Sequence, residues 1–202
     1  MDTRTLFPAL CLASALAACG SCPEQGTTPA ASGRPMLYAE VDAPESLTVE
    51  LDGLTGGALA NAHVFNGFGC TGENHSPGLH WSGAPEGTRS FVVEVHDPDA
   101  PTGVGWFHWI VADVPATTTS FAYDQGATGV PEGAVQTRTD FGAPGWGGPC
   151  PPPGAPHRYV FTVYALDTDH LGVDATAVPP VVRFMMRGHV LALGRAVGTY
   201  GR

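Results

Sequence analysis

The sequence predicts a mainly β domain, and three observations carry that prediction. Residues 89–96, 106–113 and 157–167 are apolar runs of strand length. Glycine and proline are abundant, 27 and 19 of 202 residues, which favours turns over long helices. Among the remaining stretches, residues 179–193 alone have the apolar periodicity and the start signal of a good helix. With 43% apolar residues the chain can bury a real core, and its length suits one domain with a leader and a linker.

The chain begins with a short flank, Met1-Asp2-Thr3-Arg4, followed by apolar and small residues to Ala18. This run is too short to span a bilayer and resembles a secretory signal peptide. It ends Leu16-Ala17-Ala18-Cys19, which looks like a bacterial lipobox. Residues 1–18 are therefore expected to be a lipoprotein-type signal peptide, with cleavage before Cys19 and lipidation of that residue. An ordinary secreted protein cut elsewhere is the alternative. Residues 19–40 carry little to bury and are expected to form a flexible tether. Residues 41–202 form the domain.

Within the domain, residues 47–51 alternate as a strand and residues 58–65 suit a second. Asn74-His75-Ser76-Pro77 is a turn cluster before a strand at Leu79-His80-Trp81-Ser82, and residues 83–88 form a loop. The buried strand at 89–96 then runs into Asp97-Pro98-Asp99-Ala100-Pro101. Two prolines hold Asp97 and Ala100 extended, so two carboxylates sit on a stiff turn. The strand after it starts Trp106-Phe107-His108-Trp109, and alternation places Trp106, His108 and Ile110 on one face. Residues 124–156 are rich in Gly and Pro, with only 135–139 strand-like; a loop this long is functional or hides structure. It carries Arg138, Asp140, Phe141, Trp146 and Cys150. In the strand at 157–167, His157, Tyr159, Phe161, Val163 and Ala165 share one face, with Val160, Tyr164 and Leu166 on the other. Both faces are apolar, which marks a central strand. The helix at 179–193 has Pro180 at its start and Gly194 as its stop, and residues 196–200 suit a last short strand.

The formal net charge is −10, and all nine basic residues are arginine. Nothing would neutralise phosphates in bulk, which argues against nucleic acid and against an anionic membrane surface. Of five cysteines, Cys11 leaves with the leader and Cys19 carries lipid. Outside the cytoplasm a disulfide is permitted. Cys70 and Cys150 lie in Gly-rich loops and are expected to pair, while Cys22 lies in the tether.

Asp97, Asp99, His108, His157 and Tyr159 converge, with Trp106 as a wall. The set supports a small-ligand pocket in which imidazoles and a phenol donate to an anion. Two His and two Asp also suit a metal, but no short ligand spacing supports one. No Gly-x-Ser-x-Gly elbow supplies a hydrolase nucleophile. Buried histidines that merely fix loops on aspartates would use the same residues.

The motifs Asp97-Pro98-Asp99-Ala100-Pro101, Trp106-Phe107-His108-Trp109, Gly147-Gly148-Pro149-Cys150-Pro151-Pro152-Pro153-Gly154 and His157-Arg158-Tyr159-Val160-Phe161 resemble the phosphatidylethanolamine-binding protein family. The resemblance is to its bacterial Raf-kinase-inhibitor-like branch. Asn74-His75-Ser76-Pro77, Gly188-His189-Val190-Leu191-Ala192 and Gly198-Thr199-Tyr200-Gly201-Arg202 extend the likeness, in the same order along the chain.

The resemblance implies an antiparallel β-sandwich with a few short helices and a pocket for phosphoryl or acetate groups. On the matching positions, Asp97, Asp99 and Pro101 would form its turn side, and one proline of that turn is expected to be cis. Trp106 and His108 would line the pocket from one strand, Gly148 and Pro149 would form its loop edge, and His157 and Tyr159 would close it. The eukaryotic branch has a gating C-terminal helix with no counterpart after Arg202, so kinase inhibition is not expected to carry over. The resulting expectation is a non-enzymatic, extracytoplasmic, membrane-anchored lipoprotein of a bacterial cell envelope, with neither cofactor nor metal. It would bind a small phosphorylated, anionic or zwitterionic ligand more tightly below the ordinary histidine pKa of ~6.5. The alternative is a protein-interaction or inhibitor module with a vestigial pocket and an unidentified protein partner.

Overall fold

A computed structural model describes residues 41–202. The expected signal peptide, Cys19 and the tether lie outside the described residues. The described residues form ten strands: β1 Thr48–Leu51, β2 Asn66–Gly67, β3 Cys70–Thr71, β4 Leu79–Ser82, β5 Ser90–Asp97, β6 Trp106–Pro115, β7 Ser120–Phe121, β8 Val135–Gln136, β9 His157–Leu166 and β10 Val190–Tyr200. Two short α-helices accompany them, α1 Gln125–Thr128 and α2 Pro179–Met186.

The strands form a five-stranded sheet in the order β10-β9-β5-β6-β8, a three-stranded sheet β1-β4-β7 and the small pair β2-β3. All pairings between these strands are antiparallel. The larger core lies between the two main sheets, where Val49, Leu79, Trp81 and Phe121 meet Phe91, Val93, Trp109, Phe161 and Val163. A second core covers the far face of the five-stranded sheet, where Val182 and Met186 of α2 pack with Val92, Phe107, Ile110, Tyr164 and Leu166. The fold is thus a sandwich with a helix laid on one outer face, and β5 and β9 are buried on both sides, as their unbroken apolar runs demand.

The C-terminal region departs from the sequence reading. The helix expected over 179–193 stops at Met186, and β10 takes the place of its second half and runs on through the expected last strand at 196–200. Gly188 takes a φ of +90°, which no helix continues through. Beyond it, Val190 to Tyr200 pairs along almost the whole of β9, from Val190 opposite Leu166 to Tyr200 opposite His157. A ladder of that length outweighs helical periodicity, so Gly194 lies within a strand rather than after a helix. On α2, Val182 and Met186 are buried, whereas Val181, Phe184 and Met185 are exposed. Near the other end, residues 58–65 form a 3-10 turn at Asn61–His63 instead of a strand.

Cys70 and Cys150 are joined by a disulfide across 80 residues of sequence. It ties the β2-β3 pair to the long loop before β9. Reduction should cost about 4 kcal/mol through the enlarged unfolded ensemble. Urea unfolding with and without reductant measures that difference, and coincident curves would show that the bridge contributes nothing to stability.

Candidate functional site

The site forms where β5 ends, β6 begins and β9 begins. At the end of β5, the Asp97 carboxylate is 3% exposed and folds the turn around itself. Its Oδ1 accepts the backbone N–H of Asp99 at 2.8 Å and of Ala100 at 3.0 Å. This is an Asx-type turn, and Pro98, between Asp97 and Asp99, has no N–H to compete for the carboxylate. The other oxygen, Oδ2, accepts Nδ1–H of His157 at 2.7 Å. Burial raises the Asp97 carboxyl above its usual range, and the His157 hydrogen bond opposes that rise.

Asp99 points elsewhere. Its carboxylate takes a bidentate pair from Arg158, Nε to Oδ2 at 2.9 Å and Nη2 to Oδ1 at 2.8 Å, plus the Arg158 backbone N–H. That guanidinium holds Asp99 below the usual carboxylate range. Asp97 therefore faces the cavity, and Asp99 locks the outside of the turn. No peptide bond among the described residues is cis, so the prolines of this turn are trans.

His108 reaches the site through a register irregularity. His96 pairs with Phe107 and Val95 with Trp109, so His108 is an extra residue on β6. A bulge of this kind re-aims the side chain and shifts the alternation beyond it. Phe107 and Ile110 consequently join the outer core, whereas Trp109 joins the inner one. The expected common face of Trp106, His108 and Ile110 is broken: the first two line the cavity and Ile110 does not.

The His108 ring is fixed on the long loop. Its Nδ1–H donates to the Gly147 carbonyl at 2.5 Å, and the Gly147 N–H donates back to the His108 carbonyl at 2.9 Å. That leaves Nε2 of the neutral ring as a lone-pair acceptor. Full burial depresses the His108 pKa to about 4. The expected imidazolium near pH 6.5 is therefore corrected for this residue, because a ring without access to water cannot hydrate a charge.

Gly148 and Pro149 have a structural place rather than a rim position. A Cβ on Gly148 would lie 2.1 Å from the His63 carbonyl oxygen, so only glycine fits there. The Gly148 N–H donates to Asn74 Oδ1 at 2.7 Å, and the Pro149 carbonyl accepts from Phe65 N–H. The loop edge of the cavity comes instead from Cys150, Pro151 and Pro152. Asn74, read in the sequence only as a turn residue, is the side chain that seats this loop.

The cavity measures about 180 Å³ and is lined by Asp97, Pro101, Trp106, His108, His157 and Tyr159, with Phe68 and Phe141 added. Tyr159 is fully buried, and its hydroxyl has no hydrogen-bond partner among the described residues. Burial first, then the Asp97 charge, raises its pKa, so the phenol keeps its proton. Trp106 meets Phe141 edge-on at 5.5 Å, and Phe141 stacks on Phe68 at 5.9 Å. Phe68 is 67% exposed and forms an aromatic rim that the sequence reading missed; its sole signal is its place in Gly67-Phe68-Gly69 beside the disulfide cysteine. Among the described residues no cluster of three or more His, Cys, Asp or Glu side chains is placed to hold a metal.

Comparison with known proteins agrees with this architecture. Residues 55–201 match the family described as phosphatidylethanolamine-binding protein. The chain is 50% identical over 150 residues to the UPF0098 protein YbcL of Escherichia coli, covering 72% of this chain and 82% of that protein. It is 49% identical to the UPF0098 protein YbhB of the same organism over 139 residues, covering 68% and 88%. The crystal structure of E. coli YbcL, described as a new member of the mammalian PEBP family, superimposes with a TM-score of 0.75 at 47% identity, covering 78% of this chain and 99% of that one.

Burial of neutral His108 makes stability pH-dependent. The unfolded ring binds a proton below about 6.5 and the folded ring only below about 4, so stability is lost as pH falls through that window. Burial of His96 acts in the same direction, and the raised Asp97 opposes it. His108→Gln should lose about 3 kcal/mol less stability than the wild type between pH 6.5 and pH 4. Urea unfolding at both pH values compares the two, and parallel losses would contradict the burial of a neutral ring.

Proposed function

Since the chain belongs to the phosphatidylethanolamine-binding protein family, we propose that its pocket binds a small phosphoryl or carboxylate group without catalysing a reaction on it. The observation that carries this reading is the buried Tyr159 hydroxyl, without a hydrogen-bond partner among the described residues, in the cavity beside the Asp97–His157 pair. Such a donor is costly to bury unless something accepts from it.

The donors and acceptors suit a specific kind of group. Tyr159 offers O–H, and His157, with Nδ1–H on Asp97, offers its Nε2 edge. His108 offers a lone pair, because its Nδ1–H is spent on Gly147. A singly protonated phosphate monoester matches the first and the last of these, accepting from the phenol and donating its one O–H to the His108 acceptor. A zwitterionic headgroup does so with its ammonium instead. Trp106, Phe141, Pro151 and Phe68 form the apolar surround for the rest of the ligand. The setting we propose is a bacterial cell envelope, the protein tethered to a membrane through lipidated Cys19 and needing neither cofactor nor metal. A second reading, protein docking at the rim, draws on the exposed Phe68.

The test is a titration of the domain with phosphoethanolamine, followed by imidazole NMR signals. The His108 and His157 signals should shift together and saturate at millimolar ligand. Tyr159→Phe, which removes only the hydroxyl, should weaken binding about fivefold to tenfold. Unmoved signals, or equal affinity in the variant, would refute the anion reading and leave the aromatic rim as a docking surface.

A further inference from the structure

The outward face of α2 is apolar. Seven of its eight residues are apolar and none is acidic. Pro179, Val182 and Met186 are buried, the last two in the outer core. The one charged residue, Arg183, is turned onto Glu94 in a bidentate pair. That leaves Val181, Phe184 and Met185, with Val178 just before the helix, on the exposed side, Phe184 at 71%. A surface helix ordinarily shows polar side chains to water, and a helix apolar on every side is ordinarily buried. α2 is apolar on every side but this one polar position, and it is covered on one face. Of the eight large hydrophobic residues exposed among the described residues, four are these, so the exposure is a patch and not scatter.

The start of the described chain lies beside this helix. Val41 and Ala43 pack against the same cluster as Val182 and Met186. Residues 19–40, the expected tether, therefore join the domain on its α2 side, and a coil of their length averages roughly 25 Å end to end. A lipid on Cys19 would hold that side next to a bilayer. No helix among the described residues is long and apolar enough to cross a membrane. A contact there is of the kind an apolar helix face makes lying in the headgroup region. Charge selects the surface. A chain of net charge −10 is repelled by anionic lipid and by a second copy of itself, but not by a zwitterionic bilayer. Arg187, exposed one residue past α2, is placed for headgroup phosphates.

We propose that α2 rests on a zwitterionic bilayer surface, with Val181, Phe184 and Met185 among the headgroups. The inference rests on the membrane tethering proposed above. One short helix binds weakly by itself, and the tether supplies the local concentration that makes the contact count. The contact thus orients the domain, and the lipid anchors it.

The test places the tethered protein on phosphatidylcholine vesicles carrying headgroup-spin-labelled lipid and follows side-chain methyl NMR signals. Mass spectrometry reports separately whether Cys19 bears lipid. If it does not, a histidine tag ahead of Cys19, caught on nickel-chelating lipid, supplies the tether, so the α2 contact is tested whichever way the lipoprotein reading falls. Val181 and Met185 methyls should broaden at least threefold more than those of Val104, which is 51% exposed on the turn before β6. Phe184→Glu, a change at an exposed position, should abolish that difference while the protein stays on the vesicles, and Phe184→Leu should keep most of it. Equal broadening of Val104 and α2, or an unchanged pattern in Phe184→Glu, would overturn the proposal. So would α2 signals that shift with protein concentration in the absence of vesicles, since these would assign the face to a second copy of the chain.

Discussion

The site depends on one buried carboxylate. Asp97 closes its own turn with one oxygen and holds His157 with the other. It thereby joins the end of β5 to the start of β9 at the point where the sheet opens into a cavity. Removing one partner of such a buried pair strands the other, at a cost of about 3–5 kcal/mol. The turn is secured from outside by Asp99 on Arg158, so its two aspartates have opposite surroundings and oppositely shifted pKa values. Two carboxylates two residues apart thus do different jobs, one as an internal strut and one as an external clasp.

Across the sheet, the distribution of charge is uneven. The inner cavity has a neutral His108, a protonated Tyr159 and the Asp97–His157 pair, and relies on hydrogen-bond geometry rather than net charge. On the opposite face of that sheet, Arg158, Arg183 and Arg195 come together from three elements, each on a carboxylate. A chain with net charge −10 would repel anions at long range, so selectivity in the inner cavity must come from short-range groups held in position.

Much of the architecture was legible in the sequence because burial on both faces writes a continuous apolar run. That is why β5, β6 and β9 were identifiable, and why the shared face of Tyr159, Phe161, Val163 and Ala165 followed from alternation. The Cys70–Cys150 bridge was legible from the expectation of export and from two Gly-rich loops. What failed has a common cause, the dependence of local geometry on distant partners. The bulge at His108 exists only relative to β5, so simple alternation misplaced Ile110. The second half of the expected helix became β10 because β9 offered a long pairing edge that periodicity cannot see. Asp99, Gly148 and Pro149 stand at positions that the family resemblance assigns to the pocket, yet they engage Arg158, Asn74 and the Phe65 backbone instead.

The measurement that tests the account most directly is a high-resolution crystal structure of the domain soaked with phosphoethanolamine. The account predicts a phosphoryl group in the inner cavity, one oxygen within hydrogen-bond distance of the Tyr159 hydroxyl and another at His157 or His108 Nε2, with the Asp97–His157 bond intact. An inner cavity filled only by water at saturating ligand, with the Tyr159 hydroxyl satisfied by solvent, would contradict it.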